Sequence, residues 1–242
     1  MFGYGYGYGG YYGFDWTLLL LIPTMIFVFI AQAGVKNAFK TYANVRSKRN
    51  ITGEQAARII LDANGLHDIR IEYISGTLSD HYDPRRRVMR LSQDVAQMPS
   101  VAAVSVAAHE SGHAIQHANG YVPLKVRNAI APAVSIVSRL SWPILIAGLI
   151  VIAAGKLSTG NMIFDIGLFC FVGVVVFHAV TLPVELNASK RAIAQMEALG
   201  IVDQEEKNGA KKVLRAAAMT YVASLATALA SMIRILLLRG RN

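Results

Sequence analysis

Two histidines and a glutamate form the most chemically suggestive group in this sequence of 242 residues. His109, Glu110 and His113 make up an H-E-x-x-H motif. Histidines four residues apart lie on one face of a helix, about 6 Å apart along its axis. Their ring nitrogens can then bind one Zn²⁺ ion at about 2.1 Å. Glu110 follows the first ligand directly, where it can act as general base toward a zinc-activated water, and this chemistry hydrolyses peptide bonds.

The surrounding residues favour a metal site over a chance pair of exposed histidines. The run VAAVSVAAHESGHAI is apolar on all sides, so we expect a buried helix from about residue 100 to residue 119. Buried polar side chains need partners, and a metal ion provides one for both histidines. The sequence therefore predicts one zinc ion at this motif.

A third ligand is needed, and His117 is a poor candidate for it. It lies eight residues from His109, which is about 12 Å along a straight helix and too far for one ion. The longer motif H-E-x-x-H-x-x-G-x-x-H would bend the chain back, but Gln116 and Asn119 replace its glycine and its third histidine. We expect His117 to be structural or to contact a ligand.

Glu185 is the better candidate, because an isolated carboxylate beside an apolar stretch calls for a partner. The alternative is an interfacial charge that pairs with a nearby Lys190 or Arg191. Ser189 lies one turn further on the same helical face. His178 lies two turns back, where it could orient a ligand, stabilise the reacting carbonyl, or simply be an intramembrane histidine with a satisfied hydrogen bond.

Long apolar stretches must position these residues. The chain is 54% apolar and 16% charged, and its mean hydropathy is +0.40, which excludes a disordered protein and is unlike a soluble domain. Residues 16–35 carry no charge and predict a transmembrane anchor. Residues 140–184 predict a transmembrane hairpin, with two buried helices of a soluble core as the alternative. Residues 216–242 form a C-terminal apolar helix with a basic tail, whose topology stays open.

The basic residues predict an orientation. The net charge is +9, and of 24 Lys and Arg residues none lies in residues 1–35 and fourteen lie in residues 36–140. Positive charge favours the cytoplasmic side, so the N-terminus should face outward and the catalytic site should face the cytoplasm. Because the basic residues follow the topology, we expect no nucleic-acid partner. The single cysteine, Cys170, excludes an intrachain disulfide.

Residues 36–139 form the predicted catalytic domain. Thr52 and Gln55 are spaced as the capping box of a helix that runs to Leu66. Short strands follow near residues 69–73 and 87–91, with SDHYDPRRR as the turn of a hairpin. The remaining segments are a low-complexity Gly/Tyr head at 1–15 and a third-ligand helix with a cytoplasmic segment at 185–215.

The turn contains three side chains with ligand chemistry. Asp80, His81 and Asp83 could bind a second metal or contact a substrate. Alternatively, the aspartates lock a turn before Pro84.

Three segments resemble a known family: AAHESGHAIQHANGY, DHYDPRRRVMRLS and LPVELNASKRA. They look like the membrane-bound bacterial neutral zinc metallopeptidases, the YugP-like group, from about Trp16 to the C-terminal helix. This group is related more distantly to the HtpX-like heat-shock proteases and the CAAX prenyl protease type. The resemblance implies a gluzincin arrangement, with His109, His113 and Glu185 as ligands and Glu110 as base.

The resemblance also implies a substrate-binding strand and an outer contact. An extended peptide would add by β-augmentation to an edge strand formed by Val88, Met89, Arg90, Leu91 and Ser92. In the distant relatives an E-x-x-x-D pattern supplies an aspartate that orients a ligand histidine. Ser189 stands at that position here, and Asn187 or Asp83 could substitute for the carboxylate.

The sequence therefore predicts a mainly α, multi-pass membrane protein, with transmembrane helices and a small α+β zincin-like catalytic domain around the H-E-x-x-H helix. The predicted function is an integral membrane zinc endopeptidase of the bacterial cell membrane, acting on membrane or membrane-proximal proteins. The rival is an inactive, zinc-stabilised scaffold or adaptor, which would not need Glu110. A transporter would need paired polar residues deep in several spans. Expected partners are a protein or peptide substrate and the bilayer, and a homo-oligomer or a membrane partner protein stays open.

Overall fold

The computed structural model describes residues 15–77 and 79–240. The predicted Gly/Tyr head therefore lies outside the described residues, except for Asp15. A short 3₁₀ turn at Trp16–Leu20 leads into the first helix. The elements in chain order are α1 (Leu21–Ala43), α2 (Gly53–Ala63), β1 (Arg70–Ile74), β2 (His81–Asp83), β3 (Val88–Ser92), α3 (Gln93–Gln97), α4 (Val101–Ala118), α5 (Val122–Ala153), α6 (Leu157–Ala198) and α7 (Gln204–Arg239).

Four of the described helical segments are long and apolar enough to cross a membrane: Trp16–Ala43, Val122–Ala153, Leu157–Ala198 and Gln204–Arg239. The prediction of a multi-pass membrane protein with a small α+β domain is thus confirmed. The helices are longer than the segments predicted from uncharged runs, because α1 continues past residue 35 and the α5–α6 hairpin covers more than residues 140–184. An uncharged run measures the length in contact with lipid, whereas hydrogen bonding continues each helix into the polar region.

The four spans form a row in which α1 packs on α7, α7 on α6, and α6 on α5. An even number of crossings brings Asp15 and Gly240 to the same end of the row. At that end Arg234 donates to the Asp15 carboxylate at 2.9 Å, and Arg239 pairs with Asp165. Arg234 and Arg239, two of the three basic residues that left the direction of the last helix open, therefore have acidic partners, and Arg241 lies outside the described residues.

The small domain lies at the other end of the spans and begins with α2. The Thr52 hydroxyl accepts the Gln55 N–H at 3.3 Å, and the Gln55 side chain accepts the Thr52 N–H at 3.0 Å. The predicted capping box is confirmed. Gly65 follows the helix at a φ of +70°, a conformation that glycine adopts without strain. The buried face of α2 packs on α4.

The sheet corrects two predictions. Its order is β1-β3-β2, with β1 parallel and β2 antiparallel to β3. His81–Asp83, predicted as part of a turn, is the strand β2. The hairpin partner of β3 is therefore β2 and not β1. Short strands with non-local partners leave little trace in a local pattern, so strand order could not be inferred.

The second correction concerns the substrate-binding edge. Val88–Ser92 is the central strand: β1 pairs with all five of its residues and β2 with the first three. The Ser92 N–H on the remaining stretch donates to Asp80 at 2.6 Å. A strand whose backbone groups are already paired cannot accept a peptide. The free edge nearest α4 belongs to β2, because the Tyr82 N–H points away from β3 and toward α4.

The contact between α4 and α6 is close enough to involve backbone. A Cβ atom added at Gly112 would lie 2.5 Å from the carbonyl oxygen of Ala188 on α6. Only glycine permits this approach. The same two helices carry His109, His113 and Glu185, so this contact fixes the distance between the histidines and the carboxylate.

We expect the substitution Gly112→Ala to separate α4 from α6 and to lower the free energy of unfolding by about 1–3 kcal/mol. Thermal unfolding of the purified protein, together with its zinc content, measures the effect. Gly34→Ala on α1 is the control, because a Cβ there has no neighbour within 4 Å. A Gly112→Ala protein as stable as the wild type would contradict the proposed role of this contact.

Candidate metal centre

His109, His113 and Glu185 come together where α4 crosses α6. The Nε2 atoms of His109 and His113 lie 3.2 and 3.5 Å from Oε2 of Glu185, and the potential ligand atoms all lie within 4.8 Å of one another. Tetrahedral zinc ligands at about 2.1 Å from the ion are about 3.4 Å apart. Both the donor types and their spacing fit a zinc ion.

Glu185 lies inside α6 and does not follow the end of an apolar helix. The helix runs without interruption from Leu157 to Ala198, although Pro183 lies within it. The expectation of a separate segment beginning at residue 185 came from the charge, which marks a change of environment and not a helix end. As a result, every potential ligand is carried by a helix, and the spacing of the ligands is set by helix packing.

Hydrogen bonds from neighbouring side chains orient both histidines. Nδ1 of His109 lies 3.2 Å from the hydroxyl of Ser189, and Nδ1 of His113 lies 3.0 Å from Oε1 of Gln116. Each ring therefore uses Nδ1 for a neighbour and leaves Nε2 directed at Glu185. Such contacts fix the tautomer and the ring orientation of metal-binding histidines.

Gln116 anchors this arrangement to α6, and sequence reasoning missed that role. Its side-chain nitrogen donates to the carbonyl of Val184 at 2.8 Å and to Oδ1 of Asn187 at 3.0 Å. Asn187 therefore acts on Gln116 rather than on a histidine, and it also accepts from Arg191 at 2.8 Å. The available signal was the position of Gln116 three residues after His113, on the same helical face.

Two further residues that the sequence reasoning missed lie beside the carboxylate. Arg127 on α5 donates to Oε1 of Glu185 at 2.7 Å. Tyr221 on α7 lines the same cavity as Glu185. No local motif signals either residue, because each comes from a distant helix. Glu185 is thus contacted from α4 and α5, and its second oxygen is fixed by a charge-assisted hydrogen bond.

Glu110 lies beside the histidines and is only 8% exposed. Its Oε2 accepts the backbone N–H of Tyr82 on β2 at 3.0 Å. Burial raises the pKa of Glu110 to about 7; nearby His109 opposes this effect and the charge of Glu185 adds to it. The motif glutamate is therefore enclosed between α4 and the free edge of β2.

The D-H-Y-D-P segment has a structural explanation. Asp80 accepts the N–H and the hydroxyl of Ser92, which ties the start of β2 to the end of β3. Asp83 accepts the N–H groups of Arg85 and Arg86 at 3.0 and 3.2 Å, as in a locked turn. Within residues 15–77 and 79–240, the metal-ligand spacing is found only at His109, His113 and Glu185, so this segment offers no second metal site there.

The two other histidines considered as contacts face protein groups. His81 bonds through Nδ1 to the carbonyl of Ser79 at 2.9 Å and lies against Arg90 through Nε2. His117 bonds to the hydroxyl of Tyr82 at 3.0 Å, and burial lowers its pKa. His117 therefore links α4 to β2, which is the structural role considered for it.

His178 lies apart from the metal centre, so its predicted catalytic role is not supported. Seven residues place it about 10 Å along α6 from Glu185. It lines a different cavity, beside Val28 on α1 and Ser224 on α7, whereas the α6 residues that face the metal centre are Phe177, Thr181 and Glu185.

Two cavities meet at the metal centre and share Asp80, His109, Glu110 and Tyr221. The first, which we call the Arg127 cavity, has a volume of about 390 Å³. It lies among β2, α5 and α6 and contains the polar side chains of Arg127, Asn128 and Thr181.

The second, the Ala217 cavity, has a volume of about 370 Å³ and lies among α1, α4 and α7. Most of its other lining residues are apolar: Val35, Phe39, Val106, Val213, Leu214 and Ala217.

Comparison with known proteins agrees with this geometry. A family described as "Putative neutral zinc metallopeptidase" matches residues 17–240. Over 227 residues the chain is 41% identical to "Putative membrane protease YugP" of Bacillus subtilis. The aligned region covers 93% of this chain and 98% of that protein. No solved structure matches the chain at a significant level. These matches confirm the resemblance drawn from the three sequence segments.

We expect Glu185→Ala and His109→Ala to lose bound zinc, because each removes one of three ligands from the ion. Metal analysis of the purified proteins measures this directly. Glu197→Ala is the matched control, since Glu197 is an exposed carboxylate on the same helix. Unchanged zinc content in Glu185→Ala would show that Glu185 is not the third ligand.

Proposed function

The chain belongs to the neutral zinc metallopeptidase family, and we propose that it is an integral membrane endopeptidase that uses Glu110 as its general base. The observation that carries the proposal is the convergence of His109, His113 and Glu185 within 4.8 Å, with Glu110 buried beside them. Two imidazoles, one carboxylate and an adjacent glutamate form the donor set of a gluzincin.

In the proposed mechanism, a bound zinc ion and the side chains of the site have separate roles. A zinc ion in this site supplies Lewis acidity, which activates water and polarises the scissile carbonyl. Glu110 accepts a proton from the attacking water and then delivers it to the nitrogen of the leaving amine. Its enclosure between α4 and β2 holds the carboxylate in one place, and the surrounding burial excludes bulk water from the proton transfer.

Arg127 and Tyr221 are proposed to stabilise negative charge in the site. By donating to Oε1 of Glu185, Arg127 directs Oε2 toward the histidines. Arg127 and Tyr221 both line the Arg127 cavity, where the Tyr221 hydroxyl and the other N–H groups of Arg127 are available to the scissile carbonyl oxygen as negative charge develops on it. Donors that are already oriented in a site with little water stabilise such charge effectively.

The substrate backbone is proposed to add to β2. Its Tyr82 N–H is not used by β3 and donates to Glu110 in the free protein. In the proposed complex a substrate carbonyl takes over this hydrogen bond, which releases Glu110 for the attacking water, and the extended peptide passes directly over the general base. This proposal keeps the β-augmentation mode and moves it from the central strand to the edge strand.

The substrates are proposed to be membrane proteins or membrane-proximal segments, cleaved on the cytoplasmic side. Helices α1, α5, α6 and α7 contribute to the metal centre or its cavities, and all four are candidate spans. The site therefore lies at the end of the membrane-spanning region. The bias of Lys and Arg toward residues 36–140 supports the cytoplasmic orientation.

We expect Glu110→Gln to retain zinc and to lower kcat/KM for a denatured protein substrate such as casein by about 10²–10⁴-fold, the usual contribution of a general base. The rival, a zinc-stabilised scaffold, has no such dependence. Ser111→Ala is the control, because Ser111 is a buried neighbour whose hydroxyl bonds only within its own helix. Full peptidase activity in Glu110→Gln would refute the proposed role of the glutamate.

We expect the α5–α6 turn to face outward and the start of α7 to face the cytoplasm. In a Cys170→Ser background, a membrane-impermeant maleimide on intact cells should label Lys156→Cys but not Lys211→Cys, and both positions are exposed. Permeabilised cells should show labelling of both. The reverse pattern on intact cells would place the metal centre outside the cytoplasm.

A further inference from the structure

We propose that the Ala217 cavity receives a large apolar side chain of the substrate, that of the residue directly after the cleaved bond. The inference rests on the proposed peptidase function and names the class of substrate. It selects polypeptides whose cleaved bond lies close to the membrane surface and is followed by a residue such as Leu, Met or Phe.

The Ala217 cavity lies on one side of Glu110. His109, Glu110 and Tyr221 line both the Ala217 cavity and the Arg127 cavity. A peptide bond that lies over Glu110 therefore has one cavity on each side. The side chains of the two residues that flank the bond are the groups closest to these spaces.

The Ala217 cavity suits an apolar side chain. Six of the thirteen described residues that line it are apolar, most of its exposed wall is apolar surface, and its volume of about 370 Å³ lies within the range of small-molecule sites. The Ala217 side chain is small, so the space depends on this position remaining small. An apolar side chain that enters against this wall is removed from water, which favours its binding.

The positions of Asp80 and Pro84 fix the proposed direction of the substrate. Asp80, before β2, lines both cavities, whereas Pro84, after β2, lines only the Arg127 cavity. Antiparallel pairing is slightly more stable than parallel pairing. A substrate strand antiparallel to β2 thus runs from the Arg127 cavity toward the Ala217 cavity, and the residue after the cleaved bond meets the Ala217 cavity.

Lys36 indicates the depth of the Ala217 cavity relative to the membrane. Lys36 lines the cavity and is the first basic residue of the chain, directly after the uncharged residues 16–35. Such a residue marks the membrane surface. The Ala217 cavity therefore lies at this level, where the apolar residues that flank a transmembrane segment are also found.

Cleavage products of denatured β-casein provide the first test. Mass spectrometry should show that the wild-type protein cuts before large apolar residues. In Ala217→Phe, which fills the cavity, we expect cuts before Gly, Ala and Ser, and at least about a tenfold lower kcat/KM for a peptide with Leu after the bond relative to one with Gly. Ala33→Phe, at an exposed position on α1, should keep the wild-type pattern. An Ala217→Phe enzyme with the wild-type ratio would overturn the proposal.

Binding without turnover provides the second test. Zinc-loaded Glu110→Gln protein should bind the Leu peptide about tenfold more tightly than the Gly peptide, and adding Ala217→Phe should remove the difference. If Ala217→Phe does not fold, Ala217→Leu replaces it. Equal binding of the two peptides by Glu110→Gln would overturn the apolar site and leave the peptidase function standing. Tighter binding of the Leu peptide with no cleavage by the wild type would refute the peptidase function and leave the apolar site standing.

Discussion

The burial of a single carboxylate is the constraint on which the rest of the structure depends. Removing a charge from water is costly unless it is paired and hydrogen-bonded. Glu185 on α6 meets this requirement with His109 and His113 from α4 and with Arg127 from α5. Both of these helices must approach α6 closely, and Gly112 permits a backbone contact between α4 and α6. The position of one side chain therefore fixes how the small domain sits on the spans.

The sequence was most informative where the chemistry is local. Helical periodicity placed His109, His113 and Ser189 correctly, and an isolated charge pointed to Glu185. The structure added Gln116, Arg127 and Tyr221, which come from other parts of the chain or from a motif position noted only as a mismatch. Short strands carry a weak pattern, so the order of β1, β2 and β3 and the free edge could not be predicted. Helical periodicity also placed His178 on the face of Glu185, but distance along the axis separates them.

The charged side chains at the other end of the spans are paired with one another. A C-terminal helix rich in arginine is unfavourable on the outer side by simple counting. Arg234 bonds to Asp15 and Thr17 and lies over the ring of Trp142, while Arg239 pairs with Asp165. These contacts join the first and last spans and reduce the net charge at that end. Paired arginines carry less topological information than free ones, which explains why counting alone left the last helix undecided.

In the proposed enzyme, the helix α1 gives the bilayer a structural part in substrate selection. It forms one wall of the Ala217 cavity, yet few residues of its most apolar part are buried in protein. These residues are therefore left to contact lipid acyl chains, directly before the residues that line the cavity. Changes in bilayer thickness alter helix tilt at modest cost, and a change in the tilt of α1 would alter the width of the cavity. Under this proposal, lipid composition acts on the same cavity as the residues that line it.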